Sequence, residues 1–209
     1  MATAETPSEK PWHLTGNYGP VFDELTEFDL PVRGAIPPEL DGLYVRNGAN
    51  PKSGTSPHWF FGDGMLHGVR IEKGKAAWYR NRYVQTRALL EEDAAMIGED
   101  GTADRTIAVA NTNVVGHAQR IYALVESSFP TELTPELETL GTRDFDGRLT
   151  TAMTAHPKGC PDTGELHLTS RPGIHFSIDI DDPVAFILNP LEYVGDGARV
   201  VGKLQVHGE

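Results

Sequence analysis

Short strand-like segments, in the clearest of which apolar and polar residues alternate, recur along most of the chain. Alternation with a period of two is typical of strands that bury one face. Residues 43–47 alternate in this way, and the other strand-like segments are residues 58–71, 76–84, 106–110, 120–125, 176–180 and 200–206. Gly, Pro and Asp-Gly turn signals separate them, at a spacing typical of sandwiches, barrels and propellers. The pattern therefore predicts an all-β protein, and no repeat of propeller length is visible that would choose among these architectures.

Two segments depart from this pattern. Residues 86–96 are acidic, rich in Leu and Ala and followed by Gly98, which predicts a connecting helix over the sheets. Residues 133–140 have the spacing of a short helix or turn. Residues 62–64, Gly-Asp-Gly, are predicted to form a β-turn between two strands, because a phosphate-binding loop would need a following helix and a Lys.

The N-terminal residues 1–11 are polar and rich in Ala, Thr, Glu and Pro. They contain no apolar segment of the kind that signal peptides need, so we predict a disordered leader. Residues 12–209 are expected to fold through burial, since 39% of the 209 residues are hydrophobic. A transmembrane helix would need about 18 consecutive apolar residues, and none is present.

Charge and cysteine content narrow the classes of partner and site. The net charge of −12 argues against a nucleic-acid surface and makes attraction to anionic lipid weak. Cys160 is the single cysteine, so the chain can form neither an internal disulfide nor a multi-thiolate metal site. Any metal would be held by histidine and carboxylate. A reducing, cytoplasmic location is the expectation.

The sequence Thr154-Ala155-His156-Pro157-Lys158 contains the strongest candidate for chemistry. Pro157 lacks a backbone donor and favours an extended conformation at His156. A histidine fixed in this way can direct its ring into a cavity, as a metal ligand must. From the residues alone, a turn residue or a hydrogen-bonded core histidine remains the alternative.

Several long motifs occur in the order seen in one protein family. They are residues 37–51 (PPELDGLYVRNGANP), 58–67 (HWFFGDGMLH), 111–115 (NTNVV), 123–126 (ALVE), 154–158 (TAHPK) and 163–167 (TGELH). On these motifs the chain resembles the carotenoid cleavage oxygenases, a group that includes lignostilbene dioxygenases and the retinal-pigment-epithelium isomerase. The resemblance covers about residues 14–167.

The resemblance implies a seven-bladed β-propeller with a non-haem Fe(II) on its axis. Four histidines hold the iron in this family, and a tunnel admits O₂ and a long apolar polyene or stilbene. His156 matches the first of these ligands, and Glu126 matches a carboxylate that orients other ligand histidines. We expect no nucleic-acid partner, as the charge indicates, and infer no obligate protein partner. Substrate uptake in such an enzyme would be compatible with peripheral contact with a membrane.

The other histidines and the aromatic residues are given structural roles. His67 is expected to be satisfied by backbone at a blade turn. The remaining histidines of the first part are interpreted as surface, packing or strand residues: His13, His58, His117 and His167. The aromatic residues Trp59, Phe60, Phe61, Trp78 and Tyr79 fit either a tunnel lining or a core, and core is the commoner role.

The chain also departs from the family pattern. Seven blades of about 40 to 45 residues need on the order of 300 residues, so 209 residues predict an incomplete propeller with N-terminal blades only. The pattern fades after His167, which makes residues 168–209 divergent, and His175 and His207 are weak candidates for further ligands. Two hypotheses follow: the N-terminal part of an Fe(II)-dependent dioxygenase that cleaves a conjugated C=C bond, or a truncated, non-catalytic remnant that lacks most iron ligands.

Overall fold

The computed structural model describes residues 10–170, 174–178, 186–194, 197–200 and 204–205. Regular structure in these ranges is almost entirely β, as the alternating pattern predicts. Two short 3-10 helices, Trp12–Leu14 and Gly16–Tyr18, precede the strands. Among the described helices, none is long and apolar enough to cross a membrane.

The first sheet is antiparallel and has the strand order β1-β4-β3-β2. Its strands are β1 (Thr26–Phe28), β2 (Gly42–Asn50), β3 (Asp63–Glu72) and β4 (Lys75–Tyr83). Lys73 and Gly74 join β3 to β4 with φ values of 49° and 73°. Two consecutive residues with positive φ form the type I′ hairpin turn that suits the strand twist.

The second sheet is a sequential antiparallel meander of four strands. Its strands are β5 (Asn113–His117), β6 (Arg120–Leu124), β7 (Thr131–Leu133) and β8 (Thr139–Thr142). The connection from β5 to β6 is again a two-residue turn, with φ values of 44° at Ala118 and 60° at Gln119. The turn therefore follows the end of β5, and Gly116 lies inside the strand.

A third sheet contains the described strands that follow. They are β9 (Lys158–Gly159), β10 (Leu166–Ser170), β11 (Ile174–Ile178), β12 (Phe186–Val194), β13 (Gly197–Val200) and β14 (Leu204–Gln205). The order is β13-β12-β11-β10-β9, with β14 also paired to β12. These strands are antiparallel to their neighbours, as in the first two sheets.

The side chains of β6 alternate between two hydrophobic cores. Ala123 faces a core with Leu66 of the first sheet, whereas Tyr122 and Leu124 face a core with Leu166 and Leu168 of the third. Successive residues of a strand point to opposite faces, so the second sheet lies between its two neighbours. Sheets that pack face to face in chain order are the arrangement expected of consecutive propeller blades.

Four local predictions are wrong. The helix expected over residues 86–96 is only α1 (Arg87–Leu90), capped by the Thr86 hydroxyl. Residues 106–110 are irregular, as is the segment 58–61 before β3. Asp63 begins β3, so residues 62–64 are not a turn between two strands. The sequence predicts a short helix or a turn over residues 133–140, and the structure has the turn between β7 and β8 there.

Candidate metal site

His156 lies in an irregular segment just before β9. The preceding residue, Ala155, is fully buried in the core between the second and third sheets. The following residue is Pro157, which restricts the backbone of His156 to extended conformations. The imidazole itself is 62% exposed. The backbone of His156 is therefore held by buried Ala155 on one side and by Pro157 on the other, while its ring is accessible to solvent.

Glu126 is the residue that meets this ring. It follows β6 by two positions, and its side chain is 56% exposed. The Nε2 atom of His156 lies 3.7 Å from the Oε1 atom of Glu126. This separation is too long for a hydrogen bond, but it brings an imidazole nitrogen and a carboxylate oxygen close together from segments next to two different sheets. The structure thus brings together the two residues that the sequence singles out.

These two groups suit part of an Fe(II) site. Imidazole and carboxylate are donors that non-haem iron accepts. Within residues 10–168 no cluster of three or more His, Cys, Asp or Glu residues exists that could hold a metal. His175 lies on β11, of which the structure describes only the backbone, and His207 lies outside the described residues. The described part of the chain therefore fits one ligand and one nearby carboxylate of a larger donor set.

His67 has a structural role, but its partner differs from the prediction. It lies in the middle of β3, and its Nδ1 atom is 2.9 Å from the Tyr79 hydroxyl on β4. The expected backbone partner at a turn is therefore wrong, because the adjacent strand offers a side-chain hydroxyl instead. Burial and the nearby Arg46 guanidinium lower the pKa of His67 to about 4. At neutral pH the ring is uncharged.

This lowered pKa predicts that acid destabilises the fold. In the unfolded chain His67 has the ordinary histidine pKa of 6.5. Between pH 6.5 and 4, therefore, His67 is mostly protonated in the unfolded state and mostly neutral in the folded state. The contribution of His67 to the free energy of unfolding should be constant above pH 6.5 and should decrease as the pH falls from 6.5 to 4. Urea unfolding of the full chain across this window measures the slope. The variant His67→Gln should reduce that slope, and an unchanged slope would contradict the assignment.

The aromatic residues before β3 lie on the surface of the described structure. Trp59 is 46% exposed, and Phe60 and Phe61 are more exposed still. Trp59 makes edge-on ring contacts with Trp12 and Tyr18. A nearby cleft of about 390 Å³ is lined by the N-terminal segment and residues 55–57, not by His156 or Glu126. The core role expected of Trp59, Phe60 and Phe61 is wrong, because these residues form a cluster on the surface.

Sequence reasoning missed an asparagine that bonds the backbone of the candidate site. Asn113 opens β5, and its Nδ2 atom donates to the carbonyl oxygen of Ala155 at 2.8 Å, directly before His156. Asn113 belongs to the motif Asn111-Thr112-Asn113, which contributed to the resemblance without a role for its residues. The available signal was a polar residue at the first position of an otherwise apolar strand, Asn113-Val114-Val115.

Comparison with known proteins shows which family this chain resembles. The family model described as retinal pigment epithelial membrane protein matches residues 18–182. A carotenoid cleavage oxygenase from Mycobacterium tuberculosis is 48% identical over 180 residues, which cover 81% of this chain and 35% of that protein. The carotenoid 9,10(9′,10′)-cleavage dioxygenase 1 of Arabidopsis thaliana is 40% identical over 187 residues, covering 74% of this chain and 35% of that protein. The chain thus spans about a third of the length of these relatives.

Solved structures agree with the fold. A lignostilbene dioxygenase from Pseudomonas brassicacearum superimposes with a TM-score of 0.70 and 29% identity, over 91% of this chain and 49% of that one. A Synechocystis apocarotenoid oxygenase superimposes with a TM-score of 0.59 and 24% identity, over 89% of this chain and 42% of that one. The expected all-β fold of the propeller type is confirmed, and the described sheets correspond to part of it.

Proposed function

Because the chain belongs to the carotenoid cleavage oxygenase family, we propose that it forms part of a non-haem Fe(II)-dependent dioxygenase. The reaction splits a conjugated C=C bond and adds one oxygen atom of O₂ to each carbon, giving two carbonyl products. The substrate class is a carotenoid, an apocarotenoid or a stilbene, in line with the names of the relatives. The observation that carries the proposal is the meeting of His156 and Glu126.

His156 would be one ligand of the iron. Its ring is 62% exposed, and its Nε2 atom lies 3.7 Å from Glu126, beyond hydrogen-bond distance, so a lone pair is available for the metal. Glu126 would accept a hydrogen bond from the ring of another ligand histidine and so fix its tautomer and raise its basicity. The 3.7 Å separation from His156 leaves Glu126 free for that partner.

The bound iron would supply the binding and activation of O₂, which no amino-acid side chain performs. The chain's own residues hold the ligand histidine in place and restrict the orientation of its ring. The buried anchor at Ala155 and the restriction by Pro157 limit the directions in which the His156 ring can point. A ligand fixed before the metal arrives loses little conformational freedom on binding.

The test is a hybrid protein, in which residues 18–182 replace the matching segment of the Mycobacterium tuberculosis relative. The relative supplies its own remaining residues, and this chain supplies His156 and Glu126. We expect stoichiometric iron and cleavage of a polyene or stilbene, with oxygen from ¹⁸O₂ in both carbonyl products. A folded hybrid without iron and without cleavage would instead support a non-catalytic remnant.

A further inference from the structure

Two asparagines hold consecutive sheets together in the same way. Asn47 on β2 donates from its Nδ2 atom to the carbonyl oxygens of Ala110, at 2.6 Å, and Asn113, at 3.0 Å. Asn113 on β5 donates from its own Nδ2 atom to the carbonyl oxygen of Ala155, at 2.8 Å. Asn47 therefore connects the first sheet to the start of the second, and Asn113 connects the second sheet to the segment before β9.

The orientation of each side-chain amide is fixed by a second bond. The Oδ1 atom of Asn47 accepts a hydrogen bond from the backbone N–H of Gly48, at 2.9 Å. The Oδ1 atom of Asn113 accepts one from the backbone N–H of Val114, at 2.8 Å. An acceptor and a donor on one rigid group are required at both positions, and an amide provides them whereas a carboxylate or an alkyl group does not.

The bond from Asn113 ends at the peptide unit that carries His156. The carbonyl end of this unit, at Ala155, accepts from Asn113, and its N–H end, at His156, donates to the Thr154 hydroxyl at 3.2 Å. Pro157 restricts the backbone on the other side. This segment belongs to no strand, so no sheet ladder sets its orientation. Side-chain bonds hold the plane from which the imidazole projects.

We propose that Asn113 is a positioning residue for the metal ligand His156, and that Asn47 supports it by holding Asn113 from the first sheet. The inference rests on the proposed function, because it treats His156 as an iron ligand. The path crosses two sheet boundaries: Asn47 binds the backbone of Asn113, and the side chain of Asn113 binds the backbone before His156. Loss of either amide loosens the direction of the imidazole without removing it.

The first test needs no metal. In the full chain, Asn113→Asp keeps the size and the acceptor of the side chain but places an oxygen against the Ala155 carbonyl. Hydrogen–deuterium exchange should become faster at Ala155 and His156. Asn113→Ala serves as a second variant, which removes the donor without adding charge. Unchanged exchange at His156 in both variants would overturn the proposal.

A matched control exists on β2. Asn50 also accepts a backbone N–H, from Val21 at 2.7 Å, and donates to a backbone carbonyl, again of Val21, at 2.7 Å. Its bonds hold the N-terminal segment and not the segment of His156. Asn50→Asp should therefore change exchange near Val21 and leave the exchange at His156 as in the unaltered chain.

The second test uses the hybrid protein loaded with Fe(II), or with Co(II) as a spectroscopic probe. Replacing groups that orient metal ligands lowers metal affinity by about 10- to 100-fold. For Asn113→Asp we expect a loss of affinity of about 10-fold. Asn47→Asp should cause a smaller loss, and Asn50→Asp none. The visible Co(II) spectrum should also change in Asn113→Asp, since it reports ligand geometry.

The outcomes separate this inference from the proposed function. If His156→Ala retains iron, the assignment of the metal ligand fails and the positioning role fails with it. If His156→Ala loses iron but Asn113→Asp and Asn113→Ala keep the affinity and the Co(II) spectrum of the unaltered hybrid, only the positioning role is wrong. Loss of affinity with a changed spectrum, and with folding intact, supports both.

Discussion

His156→Ala is expected to abolish iron binding in the hybrid protein. The site offers one described imidazole beside Glu126, and Fe(II) held by neutral nitrogen ligands loses affinity steeply when one ligand is removed. We expect no stoichiometric iron after dialysis and no cleavage of a polyene or stilbene. Metal analysis and product detection under O₂ provide the two measurements.

The matched control is His117→Ala. His117 ends β5 at the hairpin to β6, so the change removes an imidazole from the same sheet system without touching the candidate site. This variant should keep its iron. Equal iron in the unaltered hybrid and in His156→Ala would show that the metal binds elsewhere, and the assignment of His156 as a ligand would be wrong.

Glu126→Gln provides a graded comparison within the same experiment. The amide keeps the shape of the side chain but can no longer offer a charged acceptor to a ligand histidine. Groups in this role typically contribute about 10- to 100-fold to metal affinity or activity, so the loss should be smaller than in His156→Ala. Full iron content and full activity in Glu126→Gln would mark this carboxylate as an ordinary exposed group.

The sheets could be predicted from the sequence where local signals agree with burial. Residues 43–47 alternate and lie within β2, and the strand-like residues 76–84 coincide with β4 except for Val84. The helix over 86–96 could not be predicted correctly, because a helix is stabilised mainly by burying an apolar face. Leu90 is 63% exposed, and Glu91 is already in an extended conformation, so this helix ends after one turn.

The candidate site shows the same division. His156 and Glu126 were identified through motifs, whose residues stay recognisable however far apart they lie in the chain. The role of Asn113 depends on a bond to a residue 42 positions away. No periodicity or spacing rule encodes such a bond, since it exists only once the second sheet and the segment before β9 have packed together. Long-range side-chain bonds of this kind are visible only in the structure.

Gly64→Ala is expected to be the most destabilising single-methyl change in the first sheet. A Cβ atom at Gly64 would overlap the carbonyl oxygen of Ala110 and would lie 2.9 Å from that of Val109. Both contacts are with backbone, which cannot rotate away as a flexible side chain can. The Gly64 N–H also donates to the Val109 carbonyl at 2.9 Å, so separating the two segments would break this bond as well.

The cost should be about 3 kcal/mol, the upper part of the range for overpacking in a well-packed region. Urea unfolding of the full chain measures it, and Gly48→Ala is the control, because Gly48 pairs with Met65 on the adjacent strand and its Cβ would meet nothing within 4 Å. Ala110 also accepts the bond from Asn47. In the hybrid, Gly64→Ala should therefore weaken iron binding even where the protein stays folded, whereas Gly48→Ala should not. Equal stability of the two variants would mean that the contact between β3 and residues 109–110 is looser than the structure indicates.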